Sequence, residues 1–122
     1  MIEFTIHGPI KGGKNNYKIN PRTGLHYPSK KWAEWRNSVV SDLAFFMLER
    51  GIKTITEPLR MDVRYWAGDN RRRDVTAMAD AIFHCLERAD LIEDDFQIKS
   101  LSWMFWGLDR KNPRAEITLT TL

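Results

Sequence analysis

Cysteine is almost absent from this sequence of 122 residues, since Cys85 is the only one. An internal disulfide bond is therefore excluded, and low cysteine use is typical of a reducing compartment, so we expect a cytoplasmic protein. Long apolar runs are also lacking, because none approaches the roughly 20 residues that cross a bilayer. The first residues lack the basic-then-apolar order of a signal peptide, and we expect no association with a membrane.

Internal repeats, low-complexity tracts and breaks in composition are missing as well. Their absence favours one small domain over residues 1–122. Hydrophobic residues make up 43% of the chain and charged residues 29%, which is a globular composition rather than a disordered one. The formal net charge of +3 is small, so it indicates an anionic partner only weakly.

The charges are separated along the chain although they nearly balance. Residues 10–31 contain basic side chains and no acidic one, residues 71–73 are all arginine, and acidic side chains gather in residues 90–95. Such separation suits a phosphate-binding surface beside a metal-binding one, although a charge run is as often a solvated face. The residues that we expect to contact the phosphates of DNA are Lys11, Lys14, Lys18, Arg22, Arg71, Arg72 and Arg73.

The first half of the chain predicts a strand, a loop and a helix. Residues 2–7 alternate between apolar and polar side chains, as a half-buried strand does. Residues 8–28 are rich in glycine, asparagine and proline, and they predict a loop of a length that is typical of function. Ser29 and Gly51 are typical helix caps, so a long helix is expected between them. Its expected buried stripe is Trp32, Trp35, Val39, Leu43 and Phe46.

The second half predicts a strand, a helix and two further strands. The strand follows Pro58, and the helix begins near Asp74. Residues 98–106 and 114–120 are expected to pair as an antiparallel hairpin, and aromatic side chains on both faces of the former indicate a central strand or a dimer interface. The predicted fold class is α+β, with a mixed sheet of about four strands and two helices in a single small domain. The expected buried stripe of the second helix is Val75, Met78, Ala79, Ile82 and Leu86.

The chemistry is concentrated in residues 71–95, where three arginines precede Asp74 and a helix leads to Asp94 and Asp95. Asp74 can cap the helix, but adjacent guanidinium groups repel one another and gain little without an anion such as phosphate. If the three carboxylates meet, their repulsion calls for a cation, and Mg²⁺ or Mn²⁺ prefers oxygen ligands. The spacing leaves open whether they meet, and a purely structural role explains the pattern about equally well.

Residues 71–98 resemble the core motif of the RusA-type Holliday-junction resolvases. In that family a basic run is followed by D-x-D-N-x-x-K-A-x-x-D-A-L, a short turn and D-D-x-Q-V. The spacing from Asp74 to the Asp94–Asp95 pair and Gln97 matches this pattern without a gap, and the Gly-Pro pair and basic loop are also similar. The resemblance implies a homodimer, often phage-borne, that binds four-way DNA junctions in recombination and repair. It also implies a Mg²⁺-dependent endonuclease that hydrolyses phosphodiesters.

The resemblance also assigns roles to single residues. Asp74 and Asp95 correspond to catalytic, metal-binding aspartates, with Asp94 beside them as a further ligand. The family's second aspartate, asparagine, lysine and later aspartate are replaced, in that order, by Thr76, Ala77, Asp80 and His84.

Asp80 offers a repair for the missing carboxylate. Thr76 and Asp80 are four residues apart and share a helix face, so Asp80 could act as the missing catalytic and metal-binding group. Thr76 would then hydrogen-bond the hydration shell of the ion, His84 would lie outside the ligand set, and Arg72 or Arg73 would replace the lost lysine. Three functions remain open: a junction-cleaving enzyme, a protein that binds branched DNA without cutting it, and a protein-interaction module that retains only the fold.

Overall fold

The computed structural model describes residues 1–12 and 17–122, apart from the side chain of Tyr17. The chain forms two compact units, each assembled from separate stretches of sequence. The first unit comprises Met1–Ile10, Thr54–Arg73 and Ile92–Leu122, and the second comprises Lys11–Lys53 and Asp74–Leu91.

The described residues form six strands, two α-helices and one short 3₁₀ helix, which confirms the predicted α+β class. In chain order the elements are β1 (Ile2–His7), β2 (Tyr17–Ile19), β3 (His26–Pro28), α1 (Lys30–Arg50), β4 (Leu59–Ala67), α2 (Val75–Arg88), the 3₁₀ helix (Asp95–Gln97), β5 (Ile98–Leu108) and β6 (Arg114–Thr121).

The first unit contains a four-stranded mixed sheet with the order β1-β6-β4-β5. β6 is antiparallel to both of its neighbours, and β4 and β5 are parallel. Met61 lies opposite Leu119 and Val63 lies opposite Ile117. All four side chains are 1% exposed or less, so the paired central strands form the apolar face of this unit.

The predicted hairpin between the last two strands is wrong, because β4 lies between β5 and β6. β6 pairs with β1 on one side and with β4 on the other, so all of its backbone hydrogen-bonding edges within the sheet are used. β5 takes the edge of the sheet, so the interpretation of β5 as a central strand is wrong as well. Its parallel pairing with β4 requires a long crossover, which residues 68–97 with α2 provide.

β5 exposes apolar side chains along much of its length. Its register with β4 shifts between Tyr65 and Trp66, so that Trp106 is an extra residue at a β-bulge. Trp106 is 54% exposed and its ring lies 5.7 Å from that of Trp66. The other exposed apolar side chains of the strand are Leu101, Met104, Phe105 and Leu108.

The first helix of the second unit, α1, has the caps that the sequence predicts. The Ser29 hydroxyl accepts a hydrogen bond from the Trp32 N–H at 3.3 Å, and Gly51 adopts the left-handed conformation with φ 65°. The buried stripe is narrower than expected, since Trp32, Val39 and Leu43 are buried. Trp35 and Phe46, at the margins of the stripe, are only half-buried.

α2 begins immediately after Asp74, as predicted, and has a continuous buried face. Val75 is 43% exposed and does not belong to that face, because it lies in the first turn. In the part of the chain that the structure describes, neither helix is long and apolar enough to cross a membrane. The buried residues of α2 are Met78, Ala79, Ala81, Ile82, Cys85 and Leu86.

The prediction that residues 8–28 form only a loop is wrong. β2 and β3 pair as an antiparallel hairpin, and the Asn20 N–H donates to the Leu25 carbonyl at 2.9 Å across the turn. Gly24 allows this turn because it takes φ 70°, a conformation that glycine adopts without steric cost. The hairpin holds the segment that carries Lys18 and Arg22, so only part of the predicted loop is irregular.

Candidate metal and nucleic-acid site

Asp74 is the N-cap of α2. Its carboxylate accepts a hydrogen bond from the Thr76 N–H at 2.9 Å, and its carbonyl accepts one from the Met78 N–H at 3.1 Å. The helix dipole also favours a negative charge at this position. The residue is exposed, so its second carboxylate oxygen is open to solvent or to a cation. Asp74 therefore has a structural role that does not depend on chemistry.

Thr76 and Asp80 are both exposed on α2, one turn apart, as the repair hypothesis requires. Asp80 follows Asp74 by six residues, which is about 9 Å along a helix axis. That distance is long for two short side chains that bind one ion directly. Mg²⁺ usually retains several of its waters, so Asp80 is better placed to hold such a water than to coordinate the ion itself.

His84 faces an aromatic neighbour on α1. Its ring centroid lies 5.6 Å from that of Trp32, and its Nε2 is buried without a hydrogen-bond partner in the part of the chain that the structure describes. Burial lowers the pKa of His84 below 6.5, and the charges of Arg36 and Arg88 lower it further. The ring therefore has a packing role, while its predicted place beside a metal stays a prediction.

The pH dependence of stability should report this burial. The unfolded chain binds a proton on His84 near pH 6.5, whereas the folded chain resists protonation to a lower pH. The free energy of unfolding should therefore fall as the pH drops below about 6.5 and level off once the folded state is protonated too. His84→Phe keeps an aromatic ring against Trp32 and should flatten this slope in urea titrations between about pH 5 and 7. The matched control is His7→Phe at an exposed strand position, in which the free energy of unfolding should depend on pH as it does in the wild type.

If the free energy of unfolding of His84→Phe depends on pH as steeply as that of the wild type, the burial of His84 is not the cause of the pH dependence.

Asp94 and Asp95 lie together in the turn before β5. Asp94 caps the 3₁₀ helix, and its carboxylate accepts from the Phe96 N–H at 2.8 Å. This hydrogen bond, and then one with the Asp95 side chain, hold the pKa of Asp94 below its ordinary value. The Asp94 and Asp95 carboxyl groups each offer an oxygen within 4.8 Å of the other, and a divalent cation would offset the repulsion between two such charges. The donor set fits a hard cation such as Mg²⁺.

The arginine run has its own internal anion, Asp69. Its carboxylate accepts hydrogen bonds from the Arg73 side chain at 2.8 Å and from the Arg71 N–H at 2.9 Å. The Arg73 bond, and then that of the Arg71 N–H, lower the pKa of Asp69. Arg73 is 21% exposed, whereas the Arg71 side chain is 86% exposed, and Arg72 is exposed as well. Arg71 and Arg72 can therefore reach a phosphate, while Arg73 mainly holds the turn together.

The start of the basic segment is held by both helices of the second unit. The Lys11 carbonyl accepts a hydrogen bond from Trp32 Nε1 at 3.0 Å. Gly12 lies so close to α2 that an added Cβ would be 3.0 Å from the Cβ of Ala77. Lys11 is thereby fixed near the first turns of α2, which follow Asp74. Lys18 and Arg22 are exposed on the hairpin, and Lys14 lies outside the described residues.

The predicted site residues are thus distributed over both units. Asp94 and Asp95 are adjacent in the first unit, together with Arg71–Arg73, whereas Asp74, Thr76, Asp80 and His84 belong to the second. Convergence of Asp74, Asp80 and Asp95 on one ion stays a prediction. Sequence reasoning missed the role of Asp69, although an aspartate four residues before Arg73 is a recognisable signal for an ion pair. It also gave no role to Gln97 beyond its place in the motif.

Comparisons with known proteins add no family assignment. None of the protein-family models matches the chain. The search of curated proteins found no significant relative either.

Proposed function

We propose that the protein is a divalent-metal-dependent endonuclease of the RusA type that cuts four-way DNA junctions. The observation that carries this proposal is the turn of Asp94 and Asp95, whose carboxyl groups are exposed and have oxygens within 4.8 Å of each other. It follows a helix that begins at Asp74 and that exposed arginines precede. Carboxylates and guanidinium groups in this order are the chemistry that phosphodiester hydrolysis needs.

The acidic residues would hold Mg²⁺ or Mn²⁺ through carboxylate oxygens, with Asp74, Asp94 and Asp95 as ligands. Asp80 would complete the set through a water of the ion and act as a catalytic group. A bound ion of this kind supplies an activated water and neutralises charge on the phosphate. The protein itself contributes fixed carboxylate positions, which the cap bonds of Asp74 and Asp94 provide.

The basic residues would grip the DNA backbone. Arg71 and Arg72 belong to the unit of the acidic turn, and the other unit contributes Lys11, Lys18 and Arg22. All five are available for phosphates, which carry no sequence information. We therefore expect binding that depends strongly on salt and weakly on sequence.

The proposal includes a homodimer. β5 is an edge strand with exposed apolar side chains, and proteins rarely leave such an edge uncovered. A second copy could pair with this edge through a twofold axis, because an isologous interface uses the same surface twice. Sedimentation equilibrium of the full chain measures the oligomeric state.

The second candidate is a protein that binds branched DNA without cutting it. Thr76 and Ala77 stand where the resemblance implies an aspartate and an asparagine, and Asp80 replaces a lysine. These changes remove a carboxylate and a cation from their expected positions. In such a protein, Asp74 and Asp94 would be retained because they cap helices, and not because they bind a metal.

One paired experiment separates the candidates. A nicking assay on a synthetic four-way junction with Mg²⁺ or Mn²⁺ is run beside a binding assay on the same junction and on a linear duplex. Metal-dependent cleavage supports the enzyme, and preferential binding without cleavage supports the impaired protein. If the chain neither binds nor cuts the junction, both proposals fail and the protein-interaction module remains.

Asp80→Asn tests the repair hypothesis. If Asp80 replaces the missing carboxylate, cleavage should fall by at least about 100-fold, the order expected when one charge-stabilising group is lost. Junction binding should stay within about twofold, because Asp80 attracts no phosphate. Asp42→Asn, at an exposed position of α1, makes the same charge change as a control. Full activity in Asp80→Asn would remove Asp80 from the site.

The salt dependence of DNA affinity tests the basic segment. Replacing Lys11, Lys14 and Lys18 together with glutamine should reduce the slope of log affinity against log salt by about 0.9 for each lysine that contacts a phosphate. The matched control carries the same charge change at exposed positions elsewhere. An equal loss of slope in both variants would show that only net charge matters. The control substitutions are Lys53→Gln, Lys99→Gln and Lys111→Gln.

A further inference from the structure

Gln97 is a buried polar side chain, only 8% exposed, at the end of the acidic turn. Its Oε1 accepts hydrogen bonds from the Glu93 N–H at 2.7 Å and from the Asp94 N–H at 3.0 Å. Its Nε2 donates to the Ile55 carbonyl at 2.8 Å and to the Glu57 carbonyl at 3.1 Å. The side-chain amide thus makes two bonds as acceptor and two as donor, which uses both of its functional groups fully.

These four bonds connect two backbone segments that are distant in sequence. One is the turn that carries Asp94 and Asp95, and the other is the segment before β4, whose Ile55 also bridges to Ile92. The Asp94 carboxylate in turn caps the 3₁₀ helix that contains Gln97, so the turn is closed from both ends. The Gln97 side chain therefore ties the backbone of the acidic pair to the segment before β4.

The chemistry of the position is specific to an amide. A glutamate could accept from the two N–H groups, but its second oxygen would face the carbonyls of Ile55 and Glu57 without a proton to donate. A methionine would fill the space and leave two N–H groups and two carbonyls, all partly buried, without this partner. Each of these four groups would then lose a hydrogen bond, which destabilises the folded turn. The position therefore selects a side chain that both donates and accepts.

We propose that Gln97 is a positioning residue that sets the location of the Asp94 and Asp95 carboxylates for a divalent cation. The inference rests on the proposed function, since it assumes that these carboxylates bind a metal. Groups that orient metal ligands through hydrogen bonds typically change metal affinity by about 10- to 100-fold when they are replaced. Gln97 acts on the backbone of the ligands and touches neither metal nor DNA.

Binding of Mn²⁺ alone to the full chain tests the inference without an activity assay. Wild type, Gln97→Glu and Ile117→Val are compared by calorimetry, and amide hydrogen exchange at Glu93 and Asp94 is followed by NMR. Ile117 is 1% exposed in the same unit, so Ile117→Val controls for a modest loss of stability. An added carboxylate should by itself strengthen attraction for a cation. Weaker binding of Mn²⁺ by Gln97→Glu therefore could not be explained by the added negative charge.

We expect Gln97→Glu to bind Mn²⁺ at least about 10-fold more weakly than wild type, with faster exchange of both amides. Ile117→Val should bind within about twofold of wild type. Mn²⁺ affinity in Gln97→Glu equal to or above that of wild type would overturn the inference alone. A wild type that binds no Mn²⁺ would overturn the proposed function and the inference with it. If Gln97→Glu does not fold, Gln97→Asn takes its place, since it keeps both functional groups on a shorter stem and should show the same weakening.

Discussion

Asp74→Asn should abolish Mg²⁺-dependent cleavage of a four-way junction and leave the fold intact. Asparagine caps helices about as well as aspartate, because its side-chain oxygen can accept the Thr76 N–H in the same way. The variant loses only the negative charge that a cation requires. We expect the single-turnover cleavage rate to fall by at least about 100-fold, while the lost charge at the helix N-terminus lowers the free energy of unfolding by less than about 1 kcal/mol.

Two companion variants make this result interpretable. Asp74→Ala removes the cap as well as the charge, so it should also lower the free energy of unfolding by about 1 kcal/mol. Asp42→Asn carries the same charge change at an exposed position of α1 and should retain cleavage. If Asp74→Asn cuts junctions as fast as the wild type, Asp74 is a cap alone and the proposed site is wrong.

Trp32→Ala should destabilise the protein more than any surface change. Trp32 is 2% exposed, lies within 6.2 Å of Trp35 and 5.6 Å of His84 between ring centroids, and donates to the Lys11 carbonyl. Removing a buried indole typically costs about 3–5 kcal/mol. Because small domains are stable by only about 5–15 kcal/mol, much of the reserve would be lost. Urea denaturation followed by far-ultraviolet circular dichroism measures the change.

Trp32→Phe separates the packing of this residue from its hydrogen bond. It keeps a buried aromatic ring but leaves the Lys11 carbonyl without the indole donor, so both stability and salt-dependent DNA affinity should fall. Trp35→Phe is the matched control, because Trp35 Nε1 is buried and has no hydrogen-bond partner within the described residues. Losing an unsatisfied donor should cost little. Equal effects in the two variants would mean that the Trp32 hydrogen bond does not hold the basic segment.

Local signals predicted the helices well. Ser29, Gly51 and Asp74 mark helix ends through their own hydrogen bonds or backbone conformation, which depend on a few neighbouring residues. The pairing of the strands was not accessible in this way. β6 pairs with β1 and β4, which are both distant from it in sequence, and no local pattern specifies such pairing. The prediction of a hairpin between β5 and β6, which rested only on the turn that connects them, was therefore wrong.

The same distinction applies to the candidate site: features set by neighbouring residues were predictable, and contacts between distant residues were not. Asp94 and Asp95 were identified from spacing and do lie together, because they are neighbours in one turn. The sequence also predicted that the arginine run needs an anion. For Arg73 that anion is Asp69 of the same chain rather than a phosphate. The fourfold bonding of Gln97 depends on residues 55–57, about 40 positions away, and no local pattern indicates it.

The caps at Asp74 and Asp94 have an evolutionary consequence. Both residues start a helical turn, so mutational drift in a lineage that had lost cleavage would still be opposed at these two positions. Asp80 is exposed on α2 and lies beyond its first turn, so a lineage without the reaction would lose it before the two caps. Under the proposed function, selection for cleavage would show at Asp80, and a survey of tolerated substitutions in cells that depend on the protein should detect it there.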